Sequence, residues 1–389
     1  MNFLKTNDLK VGYGKRIVVD NIEFALEKGE ILCILGPNGC GKSTILKSIT
    51  DHIKTLHGSL ILLGKDLNSM PTMERAKEMS VVLTERVTPD MMTARDIVST
   101  GRYPHTNHFG KLEDKDMKII QEAVDIVHGQ DLMDKEFKSL SDGEKQRIML
   151  ARAICQESDI MVLDEPTSFL DIRYKIELLD ILSKLSIEKK KTIIMSLHEI
   201  DLVPKIADKV ILIKDGVIFD YGPPEEVITD DSIKEVYNLD IGSFNTIAGN
   251  VELPKAGNLA KVFVLGGGGK GTKIYRALNK ASIGFYSGIL FKNDIDYNVS
   301  NSLAIESVAE NSFTEIRKEK LEDAKSLIKE CDFLIDSGVD LVGINSGNYE
   351  LLEYALKQGI EVLSLRDENI GLELKQYESI SSIIGKIKL

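Results

Sequence analysis

The sequence predicts an α/β protein built in two blocks, and three observations carry that reading. Short apolar stretches of strand length alternate with amphipathic helical stretches along the chain, the pattern of sheets covered by helices. The 389 residues exceed the roughly 250–300 at which a single hydrophobic core stops growing. A polar, turn-rich stretch at 246–258 (TIAGNVELPKAGN) also separates two series of strands, as a linker does. The expected organisation is a first block over residues 1–245, a linker at 246–258 and a smaller block over 259–389.

Composition narrows the function classes. Apolar residues make up 43% and charged residues 28%, the balance of a soluble globular protein. A net charge of −12 supplies no basic field for a polyanion, so no nucleic-acid partner is expected. The longest apolar runs, Ile31–Leu35 and Ile160–Leu163, fall far short of the roughly 18 residues of a membrane span. The opening Met1-Asn2-Phe3-Leu4-Lys5 has no basic region followed by an apolar core, so no secretory signal is expected. Cys33, Cys40, Cys155 and Cys331 are scattered and form no CxxC pair, which speaks against a disulfide framework or zinc knuckle and for a reducing cytosol.

Chemistry is concentrated in the first block. The strand Ile31–Leu35 runs into Gly36-Pro37-Asn38-Gly39-Cys40-Gly41-Lys42-Ser43-Thr44, followed by the helical Ile45–Ile49. This is GxxxxGK[ST] in strand-to-helix context, where backbone N–H groups turn inward around phosphate oxygens and a helix N-terminus adds positive potential. Lys42 reaches the β- and γ-phosphates, and the Ser43 hydroxyl is a ligand for Mg²⁺. The same helix N-terminus and Lys42 favour a thiolate at Cys40. A second buried strand, Ile160–Leu163, ends in Asp164-Glu165, at the sheet edge where α/β folds bind ligands. Asp164 holds Mg²⁺ in this reading, and Glu165 orients the attacking water. ATP and Mg²⁺ are the expected ligands.

Leu140-Ser141-Asp142-Gly143-Glu144-Lys145-Gln146 comes next, heading the helical Arg147–Ile154. With this string in place, the first block resembles the ATPases of ABC transporters, a P-loop NTPase fold with a helical subdomain, here about 86–139, and a signature reading LSGGQ. The resemblance implies several roles. Tyr13 stacks on adenine. Ser168-Phe169-Leu170-Asp171 contacts a second subunit. His198, after the strand Thr192–Leu197, is the switch histidine near the γ-phosphate. Ser141, Gly143 and Glu144 of one chain cap the γ-phosphate held by its partner, so two chains bury ATP head to tail as a homodimer. Glu85 stands where the family has a Mg²⁺-touching glutamine, and Asp142 replaces the usual first glycine of the signature. The string Gly101-Arg102-Tyr103-Pro104-His105 resembles importer ATPases for iron–siderophore, haem and cobalamin chelates. That implies hydrolysis of ATP to ADP and phosphate coupled to transport, a transmembrane permease as partner, a substrate-binding protein acting indirectly, and a peripheral place on the cytoplasmic membrane face. Methionines 70, 73, 79, 91 and 92 serve either an adaptable docking surface or the core. A soluble ATPase that remodels a protein or nucleic acid is the alternative; an enzyme fused to the motor ranks last, because no nucleophile–base pair is visible in the second block.

The second block opens with Lys261–Leu265 (KVFVL), then Gly266-Gly267-Gly268-Gly269-Lys270-Gly271 and the helical Thr272–Leu278. Gly266, Gly268 and Gly271 satisfy GxGxxG, and Asp294 follows after the strand Gly284–Leu290, the context of a dinucleotide fingerprint on a Rossmann-like sheet. Polyglycine satisfies that pattern cheaply, so a dinucleotide, another phosphate-bearing ligand and a plain scaffold all stay open. A regulatory role is the expectation for this block.

Overall fold

The computed structural model describes residues 3–83, 89–107, 110–246 and 249–388. The chain divides into two compact units, residues 1–238 and 239–389. The division falls before the stretch read as a linker, for a reason of pairing. β12 (Ser243–Asn245) and β13 (Asn250–Glu252), to either side of 246–249, form an antiparallel hairpin that is held to the second unit by Ser243 on Ser302 and Glu252 on Arg276.

In the first unit, β1 (Leu4–Tyr13), β2 (Arg16–Ile22), β3 (Ala25–Leu26), β5 (His57–Leu62) and β6 (Lys65–Asp66) form an antiparallel wing. β4 (Ile31–Leu35), β7 (Met79–Val82), β8 (Ile160–Asp164), β9 (Thr192–Ser196) and β10 (Lys209–Lys214) form a parallel array, with β11 (Val217–Gly222) antiparallel to β10. The order is β6-β5-β1-β2-β11-β10-β4-β9-β8-β7, with β3 on β1. Every residue of β4, β8 and β9 is buried, which is why these strands read as unbroken apolar runs rather than alternating ones. α1 (Lys42–Ile49), α6 (Ile172–Lys189) and the short α2 (Thr72–Glu78), α7 (Pro224–Val227) and α8 (Asp230–Val236) complete this layer.

The helical subdomain is α3 (Ala94–Thr100), α4 (Asp114–Ile126) and α5 (Asp142–Cys155), packed on one another. Its brace is Arg102. Arg102 is 2% exposed; Nε donates to Asp116 Oδ1 at 3.0 Å, and Nη1 to the Cys155 carbonyl and Glu157, both at 2.8 Å. A Cβ at Gly101 would lie 2.3 Å from the Arg152 carbonyl oxygen, so only glycine lets the chain pass there. Most of the string read as importer-like is therefore internal; Tyr103 is its exposed residue. The methionines divide similarly: Met79 lies in the core and Met70 packs against it, while Met73 and Met91 are exposed.

The second unit is a parallel sheet of order β16-β15-β14-β17-β18-β19. Its strands are β14 (Ala260–Leu265), β15 (Gly284–Phe291), β16 (Glu306–Glu310), β17 (Phe333–Asp336), β18 (Glu361–Ser364) and β19 (Lys375–Gln376). The helices are α9 (Thr272–Lys280), α10 (Ile295–Leu303), α11 (Lys318–Ile328), α12 (Gly347–Lys357) and α13 (Ile380–Lys388). Strand alternation feeds two cores: Phe263 and Leu265 pack with α11 and α12 on one face, Val262 and Val264 with α9, α10 and α13 on the other. The order reverses between β14 and β17, the doubly wound arrangement that makes a crevice at the strands' carboxyl ends.

Candidate active site

β4 delivers the chain into a loop whose shape depends on absent side chains. A Cβ on Gly41 would sit 2.3 Å from Val19 Cγ2, and Gly41, the N-cap of α1, has φ +111°, a conformation that L side chains rarely adopt. α1 then starts at Lys42, whose buried ammonium donates to the loop's own carbonyls, Gly36 O at 2.8 Å and Pro37 O at 3.1 Å. Cys40 is 8% exposed, and burial pushes its thiol up, outweighing the pull of Lys42. The expected thiolate is thereby corrected: desolvation opposes the charged form more strongly than the nearby cation favours it.

The acidic strand end meets this loop directly. Ser43 Oγ donates to Asp164 Oδ1 at 3.2 Å. Ser196, at the end of β9, donates from Oγ to the same oxygen at 2.7 Å and accepts the Glu165 N–H at 2.9 Å. Glu165 itself turns to φ +49°. Its Oε1 lies 2.6 Å from His198 Nε2, and its Oε2 accepts from Ser168 Oγ at 3.2 Å. Behind them Glu199 accepts from Thr167 Oγ1 at 2.8 Å and Lys175 Nζ at 2.5 Å. Burial works against that carboxylate's charge, yet these donors hold it below its ordinary range. The fold thus unites Lys42, Ser43, Asp164, Glu165 and His198. Ser196 and Glu199 were missed in the sequence; their one signal was position, two residues before and one after His198.

The signature residues form a second group. Ser141 caps α5 in a capping box: its N–H and hydroxyl both donate to Glu144 Oε2, at 2.8 and 2.7 Å. The Ser141 hydroxyl, with Lys135 nearby, holds the Glu144 carboxyl below its usual range. A Cβ on Gly143 would contact Tyr174 and Leu170 at 3.5 and 3.6 Å. Asp171 caps α6, accepting the Tyr174 N–H at 3.0 Å. The loop 167–171 therefore touches Glu165 through Ser168 and places Leu170 beside Gly143 of the signature. Tyr13, half-exposed, ends β1 opposite Arg16 at the turn of the β1–β2 hairpin. Glu85 lies outside the described residues. In the second unit, Gly268 N donates to Asp294 Oδ2 at 2.6 Å, and Gly266 and Gly271 close over the Tyr275 hydroxyl.

Comparison with known proteins finds a separate family match in each unit. The family model described as ABC transporter matches residues 19–168, and one named MJ0874 family matches 285–383. The chain is 46% identical over 278 residues to the ABC transporter ATP-binding protein MJ0873 of Methanocaldococcus jannaschii, covering 71% of this chain and 96% of that protein. It is 35% identical to the iron(3+)-hydroxamate import ATP-binding protein FhuC of Bacillus subtilis, over 62% of this chain and 89% of the relative. A solved structure described as a metal-chelate type ABC transporter, inward-facing, superposes with a TM-score of 0.54 at 29% identity, covering 61% of this chain and 89% of that one. Likeness of this degree, over almost the full length of a relative, decides the matter: the chain belongs to the ABC transporter ATP-binding proteins and is an ATPase.

Proposed function

We propose that this ATPase energises import of a metal chelate (an iron–siderophore complex, haem or cobalamin) through a membrane permease, as one of two head-to-tail copies. The supporting observation for the chemistry is the double hold on Glu165: His198 on one oxygen, Ser168 on the other, beside the Ser43–Asp164 pair. Glu165 is the group that orients and polarises the attacking water. His198 keeps that carboxylate in position and lies where a γ-phosphate is sensed. Lys42 exchanges the Gly36 and Pro37 carbonyls for phosphate oxygens, a stronger, charge-assisted contact. Tyr13 offers its exposed face to adenine. Ser43 Oγ and Asp164 Oδ1 are adjacent hard oxygen donors, the type that Mg²⁺ takes, and Glu85 is the further candidate. When bound, the ion neutralises charge on the phosphates.

Signature residues Ser141 and Gly143 serve the partner's ATP, Glu144 holds the Ser141 donors until a phosphate displaces it, and the loop ending in Asp171 meets the partner. The transport reading is supported by likeness to named importer subunits, including those for ferric enterobactin and cobalamin. No helix among the described residues is long and apolar enough to cross a membrane. In this reading, which rests on likeness to the importer subunits, the permease supplies the path and this chain sits at its cytoplasmic face.

The test is reconstitution with the permease in vesicles. ATP turnover is expected to rise when chelate-loaded binding protein is added, with chelate accumulating inside. Uptake that proceeds equally with Glu165→Gln would refute the assignment. Stimulation by a soluble protein or nucleic acid, without any permease, would favour remodelling instead.

A further inference from the structure

The glycine-rich loop of the second unit has the shape of a phosphate cradle, and its donors converge on one point. What occupies that point is Asp296. Its Oδ2 accepts the Gly267 N–H at 2.9 Å and the Gly271 N–H at 2.7 Å. Its Oδ1 accepts the Thr272 N–H at 2.8 Å and the Thr272 hydroxyl at 2.7 Å. The neighbouring Asp294 takes the Gly268 N–H and fixes the Asp296 N–H through its other oxygen, at 2.9 Å. Asp296 is fully buried, so its charge is compensated by these donors and by the N-terminus of α9. We infer that the second unit binds no nucleotide or dinucleotide at Gly266–Gly271: Asp296 is a built-in carboxylate standing where a phosphate group would stand.

The two halves of the apparent dinucleotide fingerprint are thus each other's ligands. In a dinucleotide site the loop amides face pyrophosphate, and the acid beyond the second strand faces a ribose hydroxyl. Here the acids beyond β15 fold back onto the loop. The glycines have an internal reason as well. A Cβ on Gly266 would lie 2.1 Å from the Tyr275 hydroxyl, and one on Gly271 2.5 Å from it. That hydroxyl is buried beneath the loop, 2.7 Å from Ser287 Oγ. Close packing of α9 on the sheet therefore demands the glycines without any ligand. Over the crevice, Lys270 Nζ donates to the Gly338 carbonyl at 2.5 Å and lies 3.7 Å from Asp340, bridging the ends of β14 and β17. For pyrophosphate to enter, Asp296 would have to leave its four donors and expose a second negative charge beside the incoming one; the loop's one cation, Lys270, is already engaged by the Gly338 carbonyl and Asp340. Regulation by this unit accordingly does not run through a nucleotide held at this loop.

Hydrogen exchange on the full-length chain tests this. ADP is expected to slow exchange across 36–44. NAD⁺, ADP and inorganic pyrophosphate are each expected to leave 266–272 unchanged. Protection of 266–272 by any of the three in the unaltered protein would overturn the inference. In Asp296→Gly, exchange at 266–272 should rise several-fold, and pyrophosphate or formate should suppress it again by occupying the opened nest. A folded Asp296→Gly whose loop exchanges as before, or ignores added anions, would equally count against it. Should that variant not fold, Asp296→Asn provides the second measurement: it keeps the shape but presents an NH₂ to converging donors. It too should exchange faster, and unchanged exchange would overturn the inference; the arm without substitutions stands in every case.

Discussion

Glu165 has a backbone φ of +49°, uncommon for a residue with a Cβ and costing on the order of 1–3 kcal/mol. The Ser196 hydroxyl on its N–H and the His198 and Ser168 side chains on its carboxylate offset that cost. They aim the carboxylate rather than leaving it to choose a rotamer. Glu165→Gln should lower turnover by about 10²–10⁴-fold, the usual weight of a positioned general base, with ATP affinity preserved and an ATP-bound dimer accumulating. Steady-state ATPase assays with size-exclusion chromatography check both. Glu144 behaves differently. It holds Ser141 through two surface contacts, each worth about 0.5–1.5 kcal/mol net, so an arriving phosphate can displace it. In the Glu165→Gln background, Glu144→Gln should therefore dimerise at a few-fold lower ATP concentration; unchanged or weaker dimerisation would show that the clasp does not compete. All four cysteines are buried, and burial pushes Cys155 and Cys331 up to about 12. A thiol reagent should label the native protein slowly and release four equivalents on unfolding, with ATP slowing Cys40 further. Rapid native labelling of Cys40 would mean that the phosphate loop opens.

At the scale of elements, α3, α4 and the end of α5 depend on one buried ion pair, Arg102 with Asp116. Removing a single partner leaves an uncompensated buried charge and costs about 3–5 kcal/mol, whereas replacing both by apolar residues is often near neutral. Arg102→Leu should therefore unfold at clearly lower denaturant, and Arg102→Leu with Asp116→Leu should recover most of the loss, a coupling measurable by a double-mutant cycle. At the end of β16, Glu310 accepts from Arg317 Nε at 2.9 Å and from two backbone N–H groups, and the Arg317 side chain foremost holds it at about 2. A carboxyl depressed in the folded state stabilises above its unfolded value, near 4.3, and loses that contribution as pH falls toward 2. Acid titration should thus weaken the second unit between those limits, and Glu310→Gln should flatten the dependence.

For the whole molecule, the division at Asn238 decides which truncations fold. Every side chain of the proposed hydrolytic site precedes residue 200, and the first unit has its own core. A chain ending at Asn238 should fold, bind ATP and dimerise when Glu165 is replaced by Gln. A chain ending at Asn245 should be less soluble, because it carries β12 without β13 and so exposes unpaired strand edge. Light scattering of the two fragments distinguishes them, and equal behaviour would place the hairpin outside the second unit's cooperative structure.

The sequence by itself determined the α/β class, the family, the glycine-rich turn from strand to helix and the acidic strand end. Each of these is written in contiguous residues: Gly36–Thr44 shapes its own loop, and Ile160–Glu165 is strand followed by site. Tertiary structure decided the rest. Ser196 lies about thirty residues from Asp164 and Glu165 and reaches them only because β8 and β9 pair in register. Arg102 reads as part of a transporter-like string until α4 and α5 enclose it. Cys40 reads as a thiolate until burial reverses the sign. Gly266–Gly271 reads as a phosphate cradle until Asp296, more than twenty residues on, fills it. A motif specifies which donors a loop presents; which acceptor meets them depends on chain brought close by packing, and local sequence holds no record of that.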